Sequence, residues 1–358
     1  NSTMVLVSLI CFGSISQAQT TTSTPAKAAT DTKTKTDKDT TFVFELGGQY
    51  RDVSGERPSK FEEYKSIRKG AIARRGAVVY NPAGSRSFFS FAMRNASERD
   101  QQFSLEGGKY GRFRTEFKWD SNPHLYTRGA TTLFNLDSSG VYTVADSIPA
   151  NLQALDPAPT SATTTPNPAL ITAFRSYLAS GSVIDVRSKR ETFSIDQRFN
   201  ITKNWSLRFR FMETRRTGQR PLGTGTYERT GTAVGDTFRT HEIELPAQLD
   251  QRTDIFTFGT SYIKPHWGVN FDVTFSNFSN KFDSYVYDNP FRLTDQATTG
   301  TAGAFNRQAF ARGLHSTLPD NQSRGFMVTA FVDLPYSSRW AGAFGWERFT
   351  QNEQFLPY

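Results

Sequence analysis

NWSLRFRFMETRR, residues Asn204–Arg216, sets large apolar side chains and arginines at alternate positions. Successive side chains of a β-strand point to opposite faces. Trp205, Leu207, Phe209 and Phe211 therefore share one face, and Ser206, Arg208, Arg210 and Met212 share the other, with Glu213–Arg216 opening a loop. Basic residues interleaved with aromatics can also mark a nucleic-acid surface, but such sheets carry stacking rings and phosphate-binding cations on the same exposed face. Here the alternation separates them. The stretch reads as one stave of a wall with an apolar side and a wet side.

The same period recurs along the chain. In HWGVNFDVTFSN (266–277), Trp267, Val269, Phe271, Val273 and Phe275 oppose Gly268, Asn270, Asp272, Thr274 and Ser276. In GRFRTEFKWD (111–120), Phe113, Thr115, Phe117 and Trp119 oppose Arg112, Arg114, Glu116 and Lys118. Phe256, Phe258, Thr260 and Tyr262 continue the pattern, and similar segments lie near 42–50, 71–80, 87–95, 101–107, 190–200, 326–334 and 339–349. Each is close to the roughly 9–11 residues with which a tilted strand crosses a bilayer, whereas soluble strands cluster near 5–6. Tight turns are expected at 107–111, 201–205 and 263–268, and long polar loops at 120–189, 215–252 and 278–325. Within the first of these loops, Pro168–Ser180 has helical spacing, and 151–169 reads as Pro/Thr-rich loop. Short turns alternating with long loops predict an all-β fold, an antiparallel transmembrane β-barrel of the outer-membrane type.

Composition agrees. The 358 residues include 31 Phe and 13 Tyr, yet hydrophobic residues make up only 37% and mean hydropathy is −0.52. Apolar residues at every second position give that profile. Beyond the first eighteen residues no apolar run approaches the roughly 20 residues of a membrane-spanning helix, which excludes a helical membrane protein. A barrel escapes that test because its apolar face is interrupted. A secreted β-sandwich with a Phe-rich core is the competing architecture.

Met4–Ala18 (MVLVSLICFGSISQA) is a short apolar run, with Ser16 and Ala18 at the −3 and −1 positions of a signal-peptidase site. Residues 1–18 are read as a signal peptide lacking its basic start, and 19–40 as a disordered Thr/Lys-rich leader. Residues 41–358 are read as the barrel. Cys11 is the only cysteine, so the exported chain would have none. The four histidines are scattered, and in His241-Glu242-Ile243-Glu244 a strand would put the two carboxylates on the face away from the imidazole. There is no GxSxG, no P-loop and no CxxCH. Nothing points to an enzyme or to a directly bound cofactor.

Several stretches together resemble the MtrB/PioB family of outer-membrane barrels, the porin-like sheaths of multihaem cytochromes. They are GGQYRDVSGERPSKFEEYKSIRKG (47–70), DQQFSLEGGKYGRFRTEFKWDSNPH (100–124) and HEIELPAQLDQRTDIFTFGTSY (241–262). DNPFRLTD (288–295), LPDNQSRGFMVTAFVDLP (318–335) and TQNEQFLPY (350–358) complete the set. Some family members carry a CxxC near the mature N-terminus, and this chain does not. Family barrels are also longer. About eleven candidate strands are counted here, against roughly 16 or more for an aqueous or cargo-holding lumen, so the expectation is an incomplete, N-terminal portion of a barrel.

The resemblance implies a role in the outer membrane of a Gram-negative bacterium. The chain would hold and insulate a periplasmic multihaem c-type cytochrome, with an extracellular multihaem cytochrome as a further partner and the haem carried by the cytochrome. Lipid would meet Phe113, Phe117, Trp119, Phe209, Phe211, Trp267, Phe271 and Phe275. Arg112, Arg114, Lys118, Arg208 and Arg210 would line the lumen and meet the cytochrome, their positive bias suiting haem propionates. A stand-alone diffusion porin with a charged lumen is the alternative.

Overall fold

A computed structural model describes residues 40–50, 62–65, 69–137, 139–155, 167–230, 237–297 and 308–351. The side chains of 226–241, 296–297 and 308–309 fall outside the description. Outside it too lie the predicted signal peptide, nearly all of the leader, residues 51–61 of the first family-like stretch and the chain beyond Gln351.

The chain begins with β1 (Thr40–Gln49), β2 (Gly70–Tyr80), β3 (Ser87–Arg94), β4 (Gln102–Lys109) and β5 (Phe113–Thr132). Two short strands follow, β6 (Asn135–Leu136) and β7 (Val141–Thr143), then helices α1 (Ser147–Leu155) and α2 (Pro168–Ala179). The long strands β8 (Ser182–Asn200), β9 (Trp205–Thr230), β10 (Thr237–Lys264) and β11 (Trp267–Asn280) come next. A second group of short strands, β12 (Ser284–Asp288), β13 (Gln296–Ala297), β14 (Gln308–Ala309) and β15 (Arg312–Ser316), precedes β16 (Asn321–Leu334) and β17 (Ser338–Gln351).

Eleven of these strands form one antiparallel sheet in the order β1-β2-β3-β4-β5-β8-β9-β10-β11-β16-β17. They are the eleven segments expected from the period-two pattern. The sheet is open, with β1 and β17 as its edges. It is part of a barrel wall, and not a closed barrel.

Its two ends differ. At one end the connections are short, at 81–86, 110–112, 201–204, 265–266 and 335–337, and β1 starts there, Thr40 facing Tyr80. Gly111, at φ 78°, closes the turn before β5. At the other end lie the long connections 50–69, 133–181 and 281–320. Outer-membrane barrels keep short turns in the periplasm and long loops outside.

Three expectations require correction. Within the polar stretch 215–252, residues 215–230 and 237–252 are strand and not loop, and Glu213–Arg216 do not begin one. β9 and β10 pair without a register shift from Trp205↔Tyr262 to Thr230↔Thr237. The 18 residues from Glu213 to Thr230 carry the ribbon about 60 Å beyond the apolar wall. Polarity misled because a strand outside lipid needs no apolar face, only its backbone ladder. Likewise β5 runs on to Thr132 and β8 starts at Ser182, both inside the expected 120–189 loop. Third, the chain around 151 is not loop throughout, since α1 covers Ser147–Leu155; the helix expected at 168–180 is α2.

The buried core lies outside the wall. Phe134, Tyr142, Val144, Phe282, Tyr285 and Tyr287 cluster against Ile243, Leu245 and Ala247 of β10. The three tyrosines lie on a four-stranded sheet ordered β15-β12-β7-β6, in which β12 and β7 run parallel, and Phe134, Val144 and Phe282 flank its strands. The described parts of the 133–181 and 281–320 segments thus fold together into a cap seated on the raised β9–β10 ribbon.

Candidate functional site

Directly paired residues of antiparallel strands point to the same side, so the register assigns every wall residue to a face. One row runs unbroken across the sheet: Phe42, Val78, Phe91, Leu105, Phe117, Ile195, Phe211, Phe256 and Phe275, ending in Arg324 and Arg348. The next row toward the long-loop end pairs Phe103, Trp119 and Phe193, and then turns polar at Glu213, Asp254 and Asn277. Toward β17 the last apolar pair is one row lower, Phe326 with Trp346. The apolar limit steps down across the sheet, as a level membrane boundary must when strands are tilted against it.

All eight residues expected to meet lipid, Phe113, Phe117, Trp119, Phe209, Phe211, Trp267, Phe271 and Phe275, fall on this one face. So do all five tryptophans of the chain, Trp119, Trp205, Trp267, Trp340 and Trp346. Phe275 is 52% and Phe258 49% exposed. An apolar surface spanning eleven strands far exceeds the few hundred Å² that a soluble monomer tolerates.

The opposite face is charged in stripes. Glu106, Glu116 and Asp196 lie abreast on β4, β5 and β8, and one row away Arg114, Arg198 and Arg208 lie abreast on β5, β8 and β9. Like charges directly opposed are costly, and the two stripes offset one another. Arg114 meets Glu106 at 2.9 Å, Lys118 meets Glu116 at 2.8 Å, and Asp196 takes both Arg208 (3.2 Å) and Arg210 (2.8 Å). These half-exposed pairs each contribute only about 0–1 kcal/mol.

Arg112 lies in the β4–β5 turn, just beyond the strands of this face, its N–H donating to the Lys109 carbonyl (2.9 Å) and its carbonyl accepting from Asn200 N–H (2.7 Å). The positive bias is smaller than the cations alone suggest, because Arg114, Lys118, Arg208 and Arg210 share three carboxylates, Glu106, Glu116 and Asp196. The acidic stripe was present at alternate positions but became a stripe only once strand pairing was known.

The cap is seated on the charged side, since Ile243, Leu245, Ala247 and Leu222 continue the parity of Arg208 and Arg210. Buried Tyr142 donates its hydroxyl proton to the Pro246 carbonyl (3.3 Å) and accepts from Gln248 N–H (2.9 Å). Tyr285 donates to the Gln248 carbonyl, and Tyr287 to the Gly225 carbonyl (3.1 Å). Burial pushes the Tyr142 hydroxyl up to about 12 and raises Tyr285 as well. Burial, with Arg220 acting in the same sense, lowers His315. The family-like DNPF stretch proves to be a clasp of this cap. Asp288 accepts from Arg312 (2.9 Å) and Val144 N–H (3.0 Å), and Asn289, fully buried, turns the chain by accepting from Phe291 N–H (3.0 Å). In the PDNQ stretch, Asp320 accepts from Asn280 N–H (2.6 Å) and joins the ends of β11 and β16. Among the described residues no three His, Cys, Asp or Glu side chains gather as metal ligands would.

A family described as "Putative outer membrane beta-barrel porin, MtrB/PioB" matches residues 53–358. No curated protein matches the chain. Among solved structures, the chain is similar to a loop L8 deletion mutant of OmpT, an outer membrane protein of Vibrio cholerae. Identity there is 7%, coverage is 87% of this chain and 72% of that one, and the TM-score is 0.32. It is also similar to the Pseudomonas putida toluene transporter TodX, at 10% identity, 87% and 73% coverage and TM-score 0.26. The ferric-catecholate import receptor Fiu of E. coli K12 matches at 14% identity, 77% and 39% coverage and TM-score 0.29. Likeness at these scores carries no functional argument.

Proposed function

Because the chain belongs to the MtrB/PioB family of outer-membrane β-barrel porins, we propose that its wall is part of a sheath holding and insulating a periplasmic multihaem c-type cytochrome across the outer membrane. In this reading the aromatic face meets lipid and the striped face meets the cytochrome. The observation that carries it is the pairing of charges within that striped face. A surface packed against a large protein cannot leave charges buried without partners, and here Arg114, Arg208 and Arg210 already have carboxylate partners on the wall itself. The contribution of the chain is physical: it excludes lipid from the cytochrome and fixes its position, while the haems remain on the partner.

The test is purification of the full-length protein from its native membrane under mild detergent. A haem-staining partner that remains with it through size exclusion supports the sheath. A haem-free protein that conducts ions freely in planar bilayers replaces the sheath with a diffusion porin.

A further inference from the structure

A cluster of cations outside the striped face lies on the aromatic side, just beyond the apolar limit. Alternation along β8 puts Glu191, Lys189 and Arg187 on the same side as Phe193, stepping toward the long-loop end. Facing them on β5 are Ser121, Pro123 and Leu125. Along that margin of β5 runs the 62–65 segment, held by Leu125 N–H donating to the Glu63 carbonyl (2.8 Å) and by the ion pair of Arg128 with buried Glu62. Between them opens a cleft of about 800 Å³ lined by Lys65, Lys69, Arg99, Arg128, Arg187 and Lys189.

Among the described residues two carboxylates line the same cleft, and both are engaged. Glu62 takes Arg128, and Asp185 accepts from Gly129 N–H (3.2 Å). Lys189 shares Glu191 at 2.8 Å, a residue outside the cleft lining. Among the described residues Arg187 has no carboxylate within ion-pair distance. From Phe193 to Lys189 and Arg187 is about 13 to 20 Å along the strand, less once tilt is counted. That places the cleft at headgroup height on the side of the wall that faces lipid, at the end where outer-membrane barrels are extracellular.

We propose that this cleft binds the phosphorylated saccharide headgroup of the glycolipid that forms the outer leaflet, lipopolysaccharide. The volume suits a sugar-sized group, and the six cations match an anionic headgroup rather than a neutral one. The proposal rests on the assignment of the aromatic face to lipid.

The experiment uses the full-length protein in nanodiscs, probed with lipid A carrying both phosphates, dephosphorylated lipid A, and inorganic phosphate. Bisphosphorylated lipid A should bind roughly tenfold or more tighter than the dephosphorylated form. Arg187→Glu with Lys189→Glu should abolish the difference, while Arg187→Lys with Lys189→Arg should keep it. If the reversal variant fails to fold, judged by heat-modifiable gel mobility, Arg187→Gln with Lys189→Gln takes its place and should at least halve the discrimination. A wild-type protein blind to the lipid A phosphates overturns the proposal, and so does a folded variant that still discriminates. Displacement of lipid A by equimolar inorganic phosphate also overturns it, in favour of a soluble anion. Quenching of tryptophan fluorescence by acyl-brominated lipid separates the two levels. Quenching without discrimination removes the cleft alone, and absence of quenching removes the face assignment and the cleft together.

Discussion

Tyr142 shows how much a single side chain does in the cap. Its ring packs edge-on against Phe134 and Tyr285, and its hydroxyl holds the backbone of β10 at Pro246 and Gln248. Pro246 faces Pro221 across the ribbon; proline offers no N–H and is confined to strands with a free edge. An outside hydroxyl is therefore what secures this point. With the hydroxyl raised to about 12 against an ordinary 10, the folded cap keeps a proton that the opened cap releases. Stability is accordingly full below pH 10 and declines as pH rises from 10 through 12, by about 2–3 kcal/mol from this residue. Near-UV circular dichroism of the tyrosine bands should collapse within that window. Tyr142→Phe should narrow the alkaline loss and cost about 1–2 kcal/mol at neutral pH, because Gln248 N–H loses its acceptor. Collapse completed below pH 10 in the wild type would contradict this account.

Among the elements, β11 gives the sharpest contrast between faces. Phe271 pairs with Thr260 and Val328 and packs its ring 6.1 Å from Phe326, whereas Asp272 lies over Gly259 on the other side. A Cβ on Gly259 would collide with the Asp272 carboxylate. Phe271→Arg should cost roughly 2–4 kcal/mol of stability in bilayers, and Asp272→Asn should change it little. Urea unfolding in lipid vesicles measures both, and equal tolerance would remove the face assignment. Strands of this kind were legible in the sequence because lipid forces the alternation into every one of them. β10 was legible only as far as that force reaches: residues 253–262 were found, and 237–252 were mistaken for loop. The pairing of Asp196 with Arg208 and Arg210 was invisible for a different reason. It depends on which strands are neighbours and in what register, and no local pattern encodes that.

For the molecule as a whole, the distribution of tryptophan makes the wall testable without any substitution. All five lie on one face. In vesicles of acyl-brominated lipid, most of the intrinsic fluorescence should be quenched, and an aqueous quencher such as iodide should recover little of that effect; the opposite pattern would place the aromatic face in water. The cap was the least legible part, since its core joins residues as far apart as Tyr142 and Pro246, Val141 and Val286. That separation has a consequence for assembly. β7, β10 and β12 must all have been delivered to the long-loop end before the tyrosines can close on the ribbon. Closure of the tyrosine cluster therefore depends on contacts between segments more than a hundred residues apart, and it comes after the local hairpins of the wall.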